Sequence, residues 1–330
     1  MRLLPVSSAS AALVLALLPT AALAAGGTGA SSFTISDPRI KESSGLAASR
    51  IHPGVYWTHN DSDDGPYVYA VDSASGRTVA RVTLTGIGKP RDVEAISLGP
   101  DGQLYVGDIG DNRDGTWDHV WIYRFPEPKE LVDTTVKAAQ FTVRYADGPR
   151  NAEALMVHPV TGRVYIASKN ESKGGLYEGP EQLSASGTNV FRRVADVPWV
   201  TDGAFSPDGS RLALRGYFTA RTYPWKDGRP EGEGERVSAP WQGQAESVTY
   251  AADGSALMFG SEGADSRVIA VPLSAAAPAD SASPQPGAPA EAAPPPGPPG
   301  SFTKGALVLA AALALTLAAK RLFRRRGSAE

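Results

Sequence analysis

"RDVEAISLGPDGQLYVGDIGDN" (residues 91–112) contains a strand, a turn and a second strand. Ala95–Leu98 is a short apolar run, and Pro100-Asp101-Gly102 is a turn in which Pro presets φ and Gly accepts positive φ. Leu104–Val106 is the return run. Glu94 breaks the pattern: it heads the first apolar run, where a hydrophobe or a turn residue is expected.

The same arrangement occurs five times. "SGLAASRIHPGVYWTHND" opens at Ser44, "EAISLGPDGQLYVGDIGD" at Glu94 and "EALMVHPVTGRVYIASKN" at Glu153. "DGAFSPDGSRLALRGY" opens at Asp202 and "ESVTYAADGSALMFGSEG" at Glu246. The spacings are 50, 59, 49 and 44 residues. Two more strands per repeat are readable, such as "HVWIYRF" and "QFTVRYA" in the second and "RVIAVPL" in the fifth. Four strands repeated at this period predict an all-β chain, a β-propeller of five four-stranded blades. A sixth blade would have to hide in the long Glu94–Glu153 interval. The fifth repeat lacks an outer strand, and "SFTISD" (32–37) is the run available to supply it, closing a ring that leaves no exposed edge.

In a propeller the first strand of each blade lines the central channel. Ser44, Glu94, Glu153, Asp202 and Glu246 then meet near the axis at one mouth. Taken singly, each acid fits a cap on neighbouring backbone amides or a partner for a basic residue. Together, four carboxylates repel one another and take up protons unless a cation joins them. Ca²⁺, which accepts six to eight oxygens in adaptable geometry, suits such a set.

"ESSGLAAS", "DVEAI" and "AES" at the repeat starts resemble the calcium-activated apyrases, five-bladed nucleotidases with a calcium ion on the axis. The order "SSGL…DVEAI…LYVGDIGDN" is also similar to exported bacterial propellers of the SdiA-regulated type. The first resemblance implies that serine and glutamate from successive blades bind the ion. Ser44, Glu94, Glu153 and Glu246 follow that alternation, whereas Asp202 stands where the family has a small polar residue.

Loops after the second strands open on the same face: "HNDSDDG", "DIGDNRDG", "SKNESKGG", "RGYFTAR" and "SEGADSR". From them Asp108, Asp111, Arg113, Lys169, Arg215 and Tyr217 are candidate rim residues for a ligand. Cations beside a metal fit phosphate binding, although loop tips are polar in any case. The four histidines show no metal spacing, and Ser43-Ser44 has no positioned histidine for nucleophilic chemistry.

Both ends read as targeting segments. Residues 1–24 combine Arg2, an apolar run and Ala22-Leu23-Ala24, a secretory signal peptide. After the propeller (31–273), residues 274–301 are Ala, Pro, Ser and Gly, a polyproline-rich stalk with no core. Residues 302–320 form an apolar run suited to one membrane span, and the basic tail 321–330 places the C-terminus in the cytoplasm. The 330-residue chain has no cysteine, so the exported domain needs a core without disulfides. Its net charge of −3, with the basic run beside the membrane, argues against nucleic acid. The expectation is a cell-membrane protein displaying a calcium-bearing propeller outside the cell. It would bind a phosphorylated or cell-wall ligand; the alternative is a calcium-dependent phosphohydrolase of the apyrase or phytase kind.

Overall fold

The computed structural model describes residues 30–273, apart from 62–63, 112, 114 and 171–173. The chain divides into Met1–Ala277 and Pro278–Glu330, and all described residues belong to the first division. The segments expected to be a signal peptide, stalk, span and basic tail lie outside the described residues. Among the described residues there is no helix, and so none long and apolar enough to cross a membrane.

The strands follow one another as successive antiparallel sets. The first repeat is Ser43–Ala48, Val55–Asn60, Tyr67–Asp72 and Arg77–Thr85. The second is Val93–Leu98, Gln103–Asp108, Val120–Pro126 and Ala139–Tyr145. The third is Ala152–Val157, Val164–Ser168, Gly174–Glu178 and Thr188–Val197. Asp202–Phe205, Arg211–Arg215, Ala220–Lys226 and Glu235–Val237 make the fourth. Ala245–Tyr250, Ala256–Ser261 and Arg267–Pro272 begin the fifth, and Phe33–Thr34 completes it, antiparallel to Arg267–Pro272. Gly102, Gly209 and Gly254 take φ of 68°, 74° and 73°, the left-handed conformation that the turns after the first strands require.

The first strands of the five repeats touch one another in a closed cycle. Five hydrophobic cores lie between successive repeats. One joins the first and second around Trp57, Leu104 and Phe125, and another joins the second and third around Ile122, Phe141 and Tyr177. The others lie around Met156, Phe205 and Leu214, around Val248, Leu257 and Phe259, and around Ile35, Tyr69 and Met258. The last joins the fifth repeat to the first through the N-terminal strand, so the described chain is all-β and propeller-like. Each Leu- or Phe-sized side chain buried in this way contributes about 1.5–3 kcal/mol, without any disulfide.

The long Glu94–Glu153 interval holds no further four-stranded set among the described residues. Its extra length includes Thr134–Lys137, which runs parallel along the outer edge of the first repeat, Val82 opposite Thr134. A second parallel pairing, Thr142 opposite Thr188, merges the second and third repeats into one eight-stranded sheet. Hydrophobic periodicity carries no information about either edge-to-edge pairing, because both lie on the periphery.

Candidate metal centre at the hub

Four first strands share an irregularity that explains their opening residues. Ser43 pairs with Asn60 and Gly45 with His59, leaving Ser44 as an extra residue. Glu94, Glu153 and Glu246 are extra in the same way, between Val93/Ala95, Ala152/Ala154 and Ala245/Ser247. Each is a β-bulge, which leaves one residue unpaired and re-aims its side chain. Small residues follow because the inner strands crowd here. A Cβ on Gly45 would lie 2.7 Å from His59 Nε2 and 2.9 Å from the Ile96 amide nitrogen. The fourth repeat has no bulge at this point, and Asp202 pairs directly with Arg215.

The bulged residues converge. Ser44 Oγ donates to Glu94 Oε2 at 3.2 Å. Glu153 Oε1 accepts from Asn151 Nδ2 at 3.3 Å and pairs with Lys169 Nζ at 2.9 Å. Glu246 accepts the Tyr217 hydroxyl, while its buried Oε2 has no hydrogen-bond partner. Asp202 is placed differently: its Oδ2 accepts the Val248 amide at 2.8 Å, tying the fourth repeat to the fifth as a backbone cap.

Two acids not nominated from the sequence complete the centre. Asp61, Asp92 and Glu94 are all buried, and each offers a carboxylate oxygen within 4.8 Å of the others. Two oxygens on one calcium ion at about 2.4 Å each stand at most about that far apart. Gly110 lies against this group; a Cβ there would fall 2.6 Å from Asp92 Oδ2 and 2.7 Å from Glu94 Oε1. Asp92 stands two residues before Glu94 in the opening stretch, and Asp61 opens its own acid-rich loop. Both stand beside other acids in the sequence, whereas the repeat alignment singles out the bulge position alone.

A second layer of the hub comes from residues one or two positions after the second strands of four repeats. Asp61, Gly110, Lys169 and Glu262 each donate a backbone amide to the carbonyl of a residue just before the first strand: Glu42, Asp92, Asn151 and Gln244. Their side chains therefore hold corresponding places in four repeats: acid, none, ammonium and acid.

The charge balance is unfavourable to ionised carboxylates. Burial pushes Glu94 well above the usual carboxylate range, and Asp61, Glu153 and Asp92 push it further. Glu153 is raised by burial despite Lys169. Glu246 is raised to about 8, by burial and by Glu153 and Glu262 against the opposing pull of Lys169. Burial lowers Lys169, but Glu153, Glu246, Tyr217 and Glu94 outweigh it and hold the ammonium well above its ordinary value. With one ammonium among several acids, such a set is short of positive charge and can hold a hard cation.

The rim candidates separate into structural and open groups. Asp108 is fully buried and accepts the amides of Arg91 and Asp92, both at 3.0 Å, and the Tyr123 hydroxyl at 2.6 Å. It thereby fixes the turn that presents Asp92 and Glu94. Asp111, equally buried, accepts the amides of Trp117 at 2.6 Å and Arg113 at 3.2 Å, organising its own loop. Arg215 is buried, donating to the carbonyls of Ser247 and Gly260, both at 2.6 Å, and to Gln242 Oε1 at 2.9 Å. Burial depresses it to about 10. Arg113 is exposed. Tyr217 is half-buried, with Trp199 edge-on at 5.4 Å and Lys169 over its ring at 5.3 Å. Phe218 beside it is 58% exposed.

Fold and hub together define a propeller-like β protein with a carboxylate-rich centre where its inner strands begin. No protein-family model and no curated protein matches the chain. Among solved structures it is similar to the PQQ-bound aldose sugar dehydrogenase of Streptomyces coelicolor, at 13% identity over 72% of this chain and 95% of that one (TM-score 0.44). It is also similar to the hydrazine synthase of Kuenenia stuttgartiensis, at 14% identity over 66% of this chain and 61% of that one (TM-score 0.39).

Proposed function

We propose that this chain is a five-bladed β-propeller displayed outside the cell on a proline-rich stalk and a single C-terminal span, and that it is a calcium-dependent binding module. The five repeats, with Phe33–Thr34 completing the fifth, support the blade count. The convergence of Asp61, Asp92 and Glu94 beside Gly110 carries the calcium reading. Those three carboxylates would hold the ion, and Ser44 would orient Glu94. Bound there, Ca²⁺ would neutralise the repulsion at the hub and fix the first two repeats against each other. Arg113, Tyr217 and Phe218 stand on loops of the same mouth and would meet an extracellular ligand of phosphorylated or cell-wall origin.

Binding has more support than phosphohydrolysis. Of the cations proposed for the rim, Arg215 is locked onto backbone carbonyls and Lys169 onto Glu153, so neither stands ready to clamp a phosphoryl group. Asp108 and Asp111 are committed to amides.

Melting of the full-length protein in detergent tests the calcium reading. An ion bound only by the folded state stabilises it by about 2.7 kcal/mol at a hundred times Kd, so millimolar calcium should raise the melting temperature. Asp92→Asn with Glu94→Gln should remove that rise. A wild-type protein that melts identically in calcium and in chelator would overturn the reading.

A further inference from the structure

The hub is not uniformly acidic, and one of its corresponding places carries an ammonium. Lys169 holds, in the third repeat, the place that Asp61 holds in the first and Glu262 in the fifth, each anchored by its amide to the carbonyl just before the first strand. Its ammonium lies 2.9 Å from Glu153 Oε1 and over the Tyr217 ring, within the fields of Glu246 and Glu94. Lysine is rarely withdrawn from water unless paired, and the side chain of Lys169, 19% exposed, is one ammonium shared by several acids. Asp61, Asp92 and Glu94 gather on one side. On the other, Lys169 pairs with Glu153 and lies over the ring of Tyr217, whose hydroxyl Glu246 accepts, while Glu262 is held by Gln244 Nε2 at 2.7 Å. Glu246 Oε2 remains buried without a partner, an oxygen that the single ammonium does not satisfy.

Resting on the cation reading of the hub, we propose that Lys169 is a fixed internal counter-ion that fills a second cation position, between Glu153 and Glu246, and so holds the hub to one fewer divalent ion than its carboxylates can bind. An ammonium and a calcium ion compete for the same oxygens, and a tethered ammonium is always present. The chain thus trades a ligand-dependent charge at the third repeat for a permanent one. The first and second repeats keep the exchangeable site.

Calorimetric titration of the full-length protein in detergent with calcium chloride measures this as a difference in stoichiometry. Lys169→Met should bind one calcium ion more per chain than the wild type, and Lys169→Arg, which keeps the charge, should match the wild type. Adding Glu153→Gln to Lys169→Met should abolish the extra ion. In chelator Lys169→Met should melt below the wild type, and calcium should restore it by more than it raises the wild type. That comparison shows the variant is folded when titrated. Equal stoichiometry in Lys169→Met and wild type overturns the inference, whatever the affinities. A wild type that binds no calcium would instead refute the reading of Asp61, Asp92 and Glu94, and the difference between variant and wild type would still decide the role of Lys169.

Discussion

Closure of the ring by the N-terminal strand can be tested with a covalent bond. Phe33 lies opposite Val268 and Thr34 opposite Arg267, and the Ile35 amide donates to the Ser266 carbonyl at 2.9 Å. Hydrogen-bonded and non-hydrogen-bonded pairs alternate along an antiparallel ladder, so Ile35/Ser266 and Phe33/Val268 are of the first kind and Thr34/Arg267 is of the second. Such pairs bring Cα atoms to about 4.5 Å, inside the range a disulfide spans. Thr34 is half-buried and Arg267 exposed, so Thr34→Cys with Arg267→Cys leaves the core intact, and no native cysteine competes. The bond would close a loop of roughly 230 residues; chain entropy alone then predicts about 5 kcal/mol, and strain in real disulfides usually leaves about 2–4. For a domain of this size each kcal/mol moves the melting temperature by about 2–4 °C, so a gain of about 3 kcal/mol means roughly 6–12 °C. The assay is thermal unfolding of the oxidised double variant with and without reductant, alongside a free-thiol count. Two free thiols under oxidising conditions, or a melting point indifferent to reductant, would refute the ring closure.

Two further outcomes follow from the hub. Gly110→Ala would push a Cβ against Asp92 Oδ2 and Glu94 Oε1, so calcium affinity should fall tenfold or more in a calorimetric titration while melting in chelator changes little; unchanged affinity would mean that Gly110 does not frame the site. Glu246 has a pKa of about 8 in the folded chain against 4.5 ordinarily, so over that interval the unfolded chain has lost a proton that the folded chain retains. By linkage this group makes stability fall as pH rises from about 4.5 to about 8, with no penalty below that window and the full penalty above it. Unfolding free energy in chelator should therefore decline more steeply for wild type than for Glu246→Gln, and parallel curves would contradict the buried, repelled carboxylate.

Much of this architecture was legible because it repeats. Period-2 runs between Pro-Asp-Gly turns located the inner hairpins, and one missing strand in the fifth repeat pointed to residues 32–37, where the structure places Phe33–Thr34. What stayed hidden depends on backbone geometry that side-chain patterns do not encode. A bulge adds a residue without altering the apolar alternation that follows, so Ser44, Glu94, Glu153 and Glu246 read as strand starts near the axis, and the irregularity that re-aims each of them is not legible. Asp202 looked equivalent to them, but its strand has no bulge and its carboxylate reaches the Val248 amide.

Equivalent positions in a repeat protein need not do equivalent work, and the hub shows why. Five identical acids around an axis would maximise repulsion and leave the folded state dependent on bound cations. Here the positions diverge in sign and reach. Ser44 contributes a hydroxyl, Glu94 joins Asp61 and Asp92, Glu153 and Glu246 face an ammonium, and Asp202 caps a neighbouring strand. Ser44 and the capping role of Asp202 lessen the charge on the axis, and Lys169 supplies one of opposite sign. Arg215, next to Asp202 in the ladder, extends the same logic outward by binding the carbonyls of Ser247 and Gly260 where the fifth repeat begins. The ring can then fold around fixed partners on one side and reserve the remaining excess of negative charge, between the first and second repeats, for a cation taken from solution.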